Sequence, residues 1–436
     1  VSAAPPAAPG DARLGLWTGV GLVVANMIGA GVFVSAGFMS QQMPPLAIML
    51  AWGVGAVIAL AGTVAYGAVA RWVPRSGGEY RYLSELLHPA LGYLAGWASL
   101  LVGFSAPIAV SAAAAGHYAA TLVPGLPPLA TAAALIAALT GVHVAGFSLS
   151  RRVQNLLVAV KAALVIAFAA AGLAHVRHWP AWSPPREPAE PVGVFMGSLF
   201  FVAFAFSGWN AAVYAADEFA QPRRDVPRAM LAGCSLVAVL YLAVNWVFVA
   251  TLTPERTAIV LEYESQRITL GHVVMTDLLG TAGGRVMSFI TVVVFVSSMS
   301  AMIFLGPRVY AAMAEDGFLP RALAARRGRT PAASVLLQGL LALLLLFTQA
   351  VQQVLANVGA ILTLFAALVA LSVVTARWRR PDLPRASPGQ LVAAAAYVGA
   401  AAWMLYHGFR GATLLVAWVA VVAAAALVFY LVSRRA

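Results

Sequence analysis

Lys161 lies nine residues beyond Arg152 in an otherwise apolar stretch. At about 1.5 Å per helical residue, its ammonium sits roughly 14 Å inside a hydrocarbon layer about 30 Å thick. A cation at that depth costs roughly 2.5–3.5 kcal/mol or more, so it reads by default as part of a functional site. It is also too deep to reach water by stretching its side chain. Two further segments stand out as interruptions of apolar runs. Asn26-Met27-Ile28-Gly29-Ala30-Gly31-Val32-Phe33 breaks the run 21–37, and Phe204-Ala205-Phe206-Ser207-Gly208-Trp209-Asn210 breaks the run 200–217. Glycine costs roughly 1 kcal/mol in a helix interior. An unwound turn in hydrocarbon survives only where it is buried in protein or lines a cavity. Breaks at matching depth in the two halves of a chain point to the substrate site of a membrane carrier. Glycines used only for close helix packing would be spaced differently from Gly29-Ala30-Gly31.

The elements that must hold these groups are membrane helices. The chain of 436 residues is 62% hydrophobic and 10% charged, and its mean hydropathy is +0.87. Apolar stretches of about 18 residues or more mark spans. They fall at 14–37, 46–70, 91–121, 127–147, 152–174, 192–217, 228–252, 283–310, 332–349, 354–374, 390–408 and 411–433. The reading is an all-α integral membrane protein of twelve helices. Residues 1–13 form a disordered tail with no signal-peptide pattern.

Arginines follow the even-numbered spans (Arg71, Arg75 and Arg81; Arg151 and Arg152; Arg223, Arg224 and Arg228; Arg308, Arg321, Arg326, Arg327 and Arg329; Arg377, Arg379, Arg380 and Arg385; Arg434 and Arg435). The loops 38–45 and 122–128 carry none, so the positive-inside rule places both termini in the cytoplasm. The net charge of +12 restates this bias. Arginines scattered over short loops form no nucleic-acid-binding face. Cys234, the one cysteine, lies inside an apolar span, so no internal disulfide is possible. The heavy use of Ala, Arg and Gly suggests a GC-rich bacterial gene and hence the inner (plasma) membrane.

Five segments, in order, carry a family resemblance. They are Ile28-Gly29-Ala30-Gly31-Val32-Phe33; Pro74-Arg75-Ser76-Gly77-Gly78-Glu79-Tyr80; Phe204 to Asn210; Glu218-Phe219-Ala220-Gln221-Pro222-Arg223-Arg224-Asp225-Val226-Pro227-Arg228; and Arg308 through Met313-Ala314-Glu315-Asp316-Gly317-Phe318-Leu319-Pro320. From about residue 14 to 433 the chain resembles the amino acid–polyamine–organocation (APC) transporters. Ser-Gly-Trp-Asn leans toward the L-type amino acid transporter branch. The resemblance implies a LeuT-like fold, an inverted five-plus-five helix repeat with discontinuous helices 1 and 6. The transport core would occupy 14–374, as repeats 14–174 and 192–374, with two additional helices over 390–433.

A zwitterionic amino acid needs donors for a carboxylate and acceptors for an ammonium. The amide N–H groups and positive dipole end at the start of a half-helix suit the first, and unwound carbonyls suit the second. By resemblance, the amides around Gly29, Ala30 and Gly31 take the carboxylate, and the carbonyls of Met27, Phe204 and Ser207 take the amine. Ala30 stands where the family often has serine, so the carboxylate contact is through backbone. Ile28 and Gly208 complete the breaks. Phe204 occupies the place of an aromatic gate, Phe206 and Trp209 could shape the side-chain pocket, and Ser105 with Pro107 could line the opposite wall.

In sodium-coupled relatives of this fold a cation ties helices 1, 5 and 8 together. The resemblance implies that Lys161 takes its place, donating to carbonyls of the first break and to Ser297, Ser298 or Ser300. A lysine withdrawn from water can also release its proton, which makes proton coupling chemically available. Glu218 and Arg308 could close a cytoplasmic gate. The mammalian L-type relatives join a partner through a cysteine between spans 3 and 4. Here Val123-Pro124-Gly125-Leu126-Pro127-Pro128 has none, which excludes a disulfide-linked partner subunit at that site.

No metal or cofactor is implied. His117, His143, His175, His178 and His407 lack ligand spacing, and there is no phosphate loop or hydrolytic triad. No acid lies deep in spans 3, 6 or 8, which favours a neutral substrate. The expectation is a sodium-independent secondary transporter of neutral L-amino acids working by alternating access, with exchange favoured. Proton symport and a non-transporting amino acid receptor are the alternatives.

Overall fold

In hydrocarbon every backbone amide and carbonyl must find its partner within the protein, and a helix satisfies both inside one segment. The computed structural model is accordingly helical almost throughout. It describes residues 14–176, 180, 183–184, 190–252, 270–324, 331–347 and 351–410. The span expected over 411–433, the tail over 1–13, His178 and the arginines at 326, 327, 329, 434 and 435 lie outside the described residues.

The elements follow chain order: α1 (Leu16–Met27), α2 (Ala30–Met39), α3 (Pro45–Trp72), α4 (Gly78–Leu86), α5 (Pro89–Ala98), α6 (Ala106–Leu122), α7 (Pro128–Val144), α8 (Phe147–His175), α9 (Pro191–Phe206), α10 (Pro222–Thr251), α11 (Leu270–Glu315), α12 (Ala332–Phe347), α13 (Val351–Arg379) and α14 (Pro388–Arg410). Eight described helices are long and apolar enough to cross a membrane, and α1 with α2 makes a ninth span bent by 46°. The expected span 127–147 is α7, of only 17 residues, which falls short of the roughly 20 that a perpendicular crossing needs, and the expected span 332–349 is described as α12 up to Phe347. In α11, Gly280 (φ 67°, ψ −158°) breaks the helix, so its apolar span begins near Leu279.

Outward faces are apolar. Leu46, Leu50, Val54 and Val57 run along one side of α3, each at least 38% exposed. That is the stripe of a helix solvated by lipid rather than water. Inside, α10 packs between α1 and α3, and α11 between α6 and α8. The third span carries a π-helical turn over Ser99–Ser105 between α5 and α6. Pro107 causes it: proline has no N–H to offer the carbonyl one turn back, so the ladder slips and the Ala106 amide bonds to Leu101 instead.

Candidate substrate site

Helix α1 stops because Ile28 leaves helical geometry (φ −73°, ψ 96°). The last carbonyls of a helix have no amide ahead of them and must be satisfied from elsewhere. Here side chains from α8 and α10 do it. The Lys161 ammonium donates to the carbonyls of Ala25 (2.6 Å) and Ile28 (2.7 Å). The Tyr241 hydroxyl donates to Met27 O at 2.5 Å and lies 3.1 Å from Ala205 O in the second break's helix. Lys161 is fully buried and is the only lysine in the chain. Among the described residues no carboxylate forms an ion pair with it. A cation at the negative end of a helix dipole is favourably placed, so Lys161 acts as a cap for α1. The ring of Tyr241 is held between Trp52 (centroids 5.5 Å apart) and Phe206 (5.2 Å).

The second break is a turn rather than a gap. Ser207 at φ −55°, ψ 145° followed by Gly208 at φ 95° is the pairing a type II turn demands, and the second position favours glycine. Ser207 bonds back to Phe204 O through both its amide (3.0 Å) and its hydroxyl (2.6 Å). The two breaks then press on each other. A Cβ on Gly208 would stand 2.8 Å from Asn26 Cβ, and one on Gly31 would stand 2.5 Å from Ala205 Cα. Glycine is what lets each interrupted helix cross the other at backbone range.

Beside this crossing is a cavity, partly open to solvent. Ser207, Gly208, Trp209 and Asn210 line it, facing Ser99, Gly103 and Phe104 of the π turn and Gly359 to Ala366 of α13. Several residues expected at the site stand back from it. Phe204 is half-buried toward Gly359, and Ser105 is fully buried. Met27, Ile28, Gly29 and Gly31 are also absent from the lining, where α1 is represented by Asn26. Nothing is described of the Ala30 side chain. The Met27 and Phe204 carbonyls, expected to be free for an amine, already accept from Tyr241 and Ser207.

The three serines of α11 separate as well. Ser297 and Ser298 are fully buried with hydroxyls unpartnered among the described residues, and Ser298 Oγ lies 3.2 Å from where a Gly29 Cβ would be. Ser300 instead donates to Gln154 (2.7 Å) and lies 2.9 Å from His143. Its hydroxyl is engaged by Gln154 of α8 and His143 of α7, and no bond joins it to Lys161 among the described residues.

Two residues at the site went unassigned in the sequence. Tyr241 looks there like one more aromatic in an apolar helix. Glu79, in the Gly-Gly-Glu-Tyr segment, is a buried acid that lines the cavity. It accepts from Tyr66 (3.1 Å), Tyr214 (2.7 Å) and the Asn210 amide.

The arginine-rich end is tied together beneath the breaks. Arg308 grips Glu218 with two bonds, 2.5 and 3.0 Å, and its guanidinium lies over the Phe304 ring while donating to the Phe304 carbonyl. The Leu14 amide bonds to Glu218 O and the Ala220 amide returns to Leu14 O. Asp217 and Ser76 exchange bonds of 3.1 and 3.0 Å. Tyr80 (2.5 Å) and Arg81 (2.6 Å) both donate to Asp316. Burial first, and the Asp316 carboxylate second, push the Tyr80 phenol well above its usual range, so it remains a donor.

Comparison with known proteins settles the family. The family model described as amino acid permease matches residues 14–433. The chain belongs to the amino acid permease family. This permease is 27% identical over 390 residues to large neutral amino acids transporter small subunit 2 of Rattus norvegicus, covering 86% of the chain and 71% of that protein. It is 26% identical over 385 residues to b(0,+)-type amino acid transporter 1 of Oryctolagus cuniculus, covering 86% and 77%. Asc-type amino acid transporter 1 of Mus musculus is 24% identical over 417 residues, covering 91% and 76%. These relatives place the permease with the L-type branch of the APC superfamily, among transporters rather than enzymes.

Proposed function

We propose that this permease is a sodium-independent exchanger of neutral L-amino acids, working by alternating access in a bacterial inner membrane with both termini in the cytoplasm. The observation that carries the reading is the Lys161 ammonium on the Ala25 and Ile28 carbonyls. A positive charge fixed by the chain itself stands where a mobile coupling ion would otherwise satisfy the broken helix, so none need be carried. The twelve-helix inverted repeat, 14–174 and 192–374 with two further helices over 390–433, fits the two breaks that cross at Gly31 and Gly208.

The substrate carboxylate goes to the amides at the start of α2, Gly29 to Gly31, at the positive end of that helix. The ammonium goes to the carbonyls of Met27, Phe204 and Ser207, since a carbonyl oxygen has a second lone pair after its first bond. Trp209 and Asn210 face the substrate side chain, and Phe204 swings over it as the outer lid. Glu218–Arg308 is the inner gate. Glu79 is the only acid lining the cavity among the described residues. Three donors already engage it, so no free carboxylate awaits a cationic side chain, which supports neutral substrates. The relatives' own names include large neutral amino acids.

The test is uptake of labelled L-alanine, L-leucine and L-phenylalanine by proteoliposomes without sodium, with or without internal amino acid, under a set pH gradient. Exchange predicts uptake that requires internal amino acid and ignores the gradient. Uptake into empty vesicles driven by an inward proton gradient would make the protein a symporter. Binding without flux would make it a receptor.

A further inference from the structure

Glu79 comes from the first turn of α4 rather than from either helix interrupted at the site, yet its carboxylate touches the second break. Gly77 (φ 120°) and Gly78 (φ 56°) precede it. Two successive left-handed residues swing the start of α4 so close to α9's continuation that a Cβ on Gly78 would run into the Tyr214 ring. That turn puts the Glu79 carboxylate directly under Asn210. One oxygen accepts from Tyr66 and from the Asn210 amide, and the other accepts from Tyr214, one helical turn beyond Asn210. The Asn210 amide also reaches the Tyr214 hydroxyl (3.2 Å). Among the described residues no basic side chain pairs with Glu79. Its contacts are all neutral donors, two of them on the segment that leaves the break.

We infer that Glu79 is a positioning residue for substrate recognition: it sets the Ser207–Asn210 turn through Asn210 and Tyr214. The inference deepens the proposed exchange function and rests on it. A carboxylate offers two acceptor oxygens, whereas an amide offers one and adds donors. Glu79→Gln keeps one accepting oxygen and turns the other into a donor, so it cannot accept from Tyr66, Asn210 and Tyr214 together, and the turn is released. Glu79→Asp keeps both oxygens and withdraws them by one methylene. Because Ser207, Gly208 and Trp209 line the cavity, the loss reads out in substrate affinity.

The experiment measures KM and Vmax of exchange for the best substrate among L-alanine, L-leucine and L-phenylalanine, with thermal stability of each purified variant alongside. E79Q is expected to raise KM about ten- to a hundredfold, the loss of one charge-assisted bond, and E79D less than E79Q. Arg380→Gln, which cuts a bond to the Glu85 carbonyl at the far end of α4, keeps the wild-type KM. E79Q combined with Asn210→Ala loses clearly less than the sum of the two single losses, because Glu79 acts in part through Asn210 and in part through Tyr214. Wild-type KM in E79Q with only lowered stability would reduce Glu79 to scaffolding and overturn the inference, as would additive losses in the double variant. Failure of the wild-type protein to exchange would instead remove the function on which the inference stands.

Discussion

Replacing Lys161 by methionine separates its structural weight from its functional one. The side chain is fully buried and holds two carbonyls at 2.6 and 2.7 Å. Methionine keeps most of the volume and removes both bonds. Each orphaned carbonyl costs about 1–3 kcal/mol, so the break is disfavoured in its observed shape by about 2–6 kcal/mol. At about 1.4 kcal/mol per tenfold, Vmax/KM for exchange should fall between about thirtyfold and twenty-thousandfold. Overall stability should change much less, because burying an ammonium without a counter-ion is itself costly and the variant escapes that cost. The assay pairs exchange in proteoliposomes with thermal unfolding in detergent. Lys161→Arg should not rescue, since a planar guanidinium cannot enter a site packed around an ammonium. Exchange by K161M with KM and Vmax within twofold of wild type would refute the reasoning.

Gly208→Ala meets both a left-handed φ, worth about 1–2 kcal/mol, and overlap with Asn26. Exchange should be lost and the melting temperature should fall, both readable in detergent and vesicles. Tyr241→Phe removes the hydroxyl shared by the Met27 and Ala205 carbonyls while leaving the ring between Trp52 and Phe206, so KM should rise about tenfold with near-normal stability. For Glu218 and Arg308, a double-mutant cycle of Gln substitutions read by thermal stability should give a coupling of about 0.5–3 kcal/mol. Either single variant should leave the arginine-rich end more open to a membrane-impermeant thiol reagent acting on a cysteine placed at Ser76.

The buried lysine and the two helix breaks were legible because the violations were local. A lysine within an apolar run, and glycines at matching depth in two spans, break rules that a single helix enforces on its own. What escaped reading depends on distant contacts. Tyr241 meets Met27 across 214 residues, and Glu79 meets Asn210 across 131. No periodicity encodes either meeting, and an aromatic in a span or an acid between spans is unremarkable until the chain folds. The three serines of α11 could not be told apart, since Ser297 and Ser300 differ by a modest rotation that the neighbouring helices alone decide. The shortness of α7 was hidden by apolar residues continuing past its end, which hydropathy counts and hydrogen bonding does not. Pro107 was visible as a residue facing the site, but that it would end a π turn against the cavity was not.

The central claim is that a fixed lysine replaces a travelling ion. It is tested most directly by counting protons during exchange. Vesicles loaded with amino acid and a pH-reporting dye, in sodium-free buffer, are given labelled substrate outside. The account requires label to enter with no change in internal pH. Internal acidification in step with label, approaching one proton per amino acid, would contradict it and make Lys161 a carrier rather than a strut.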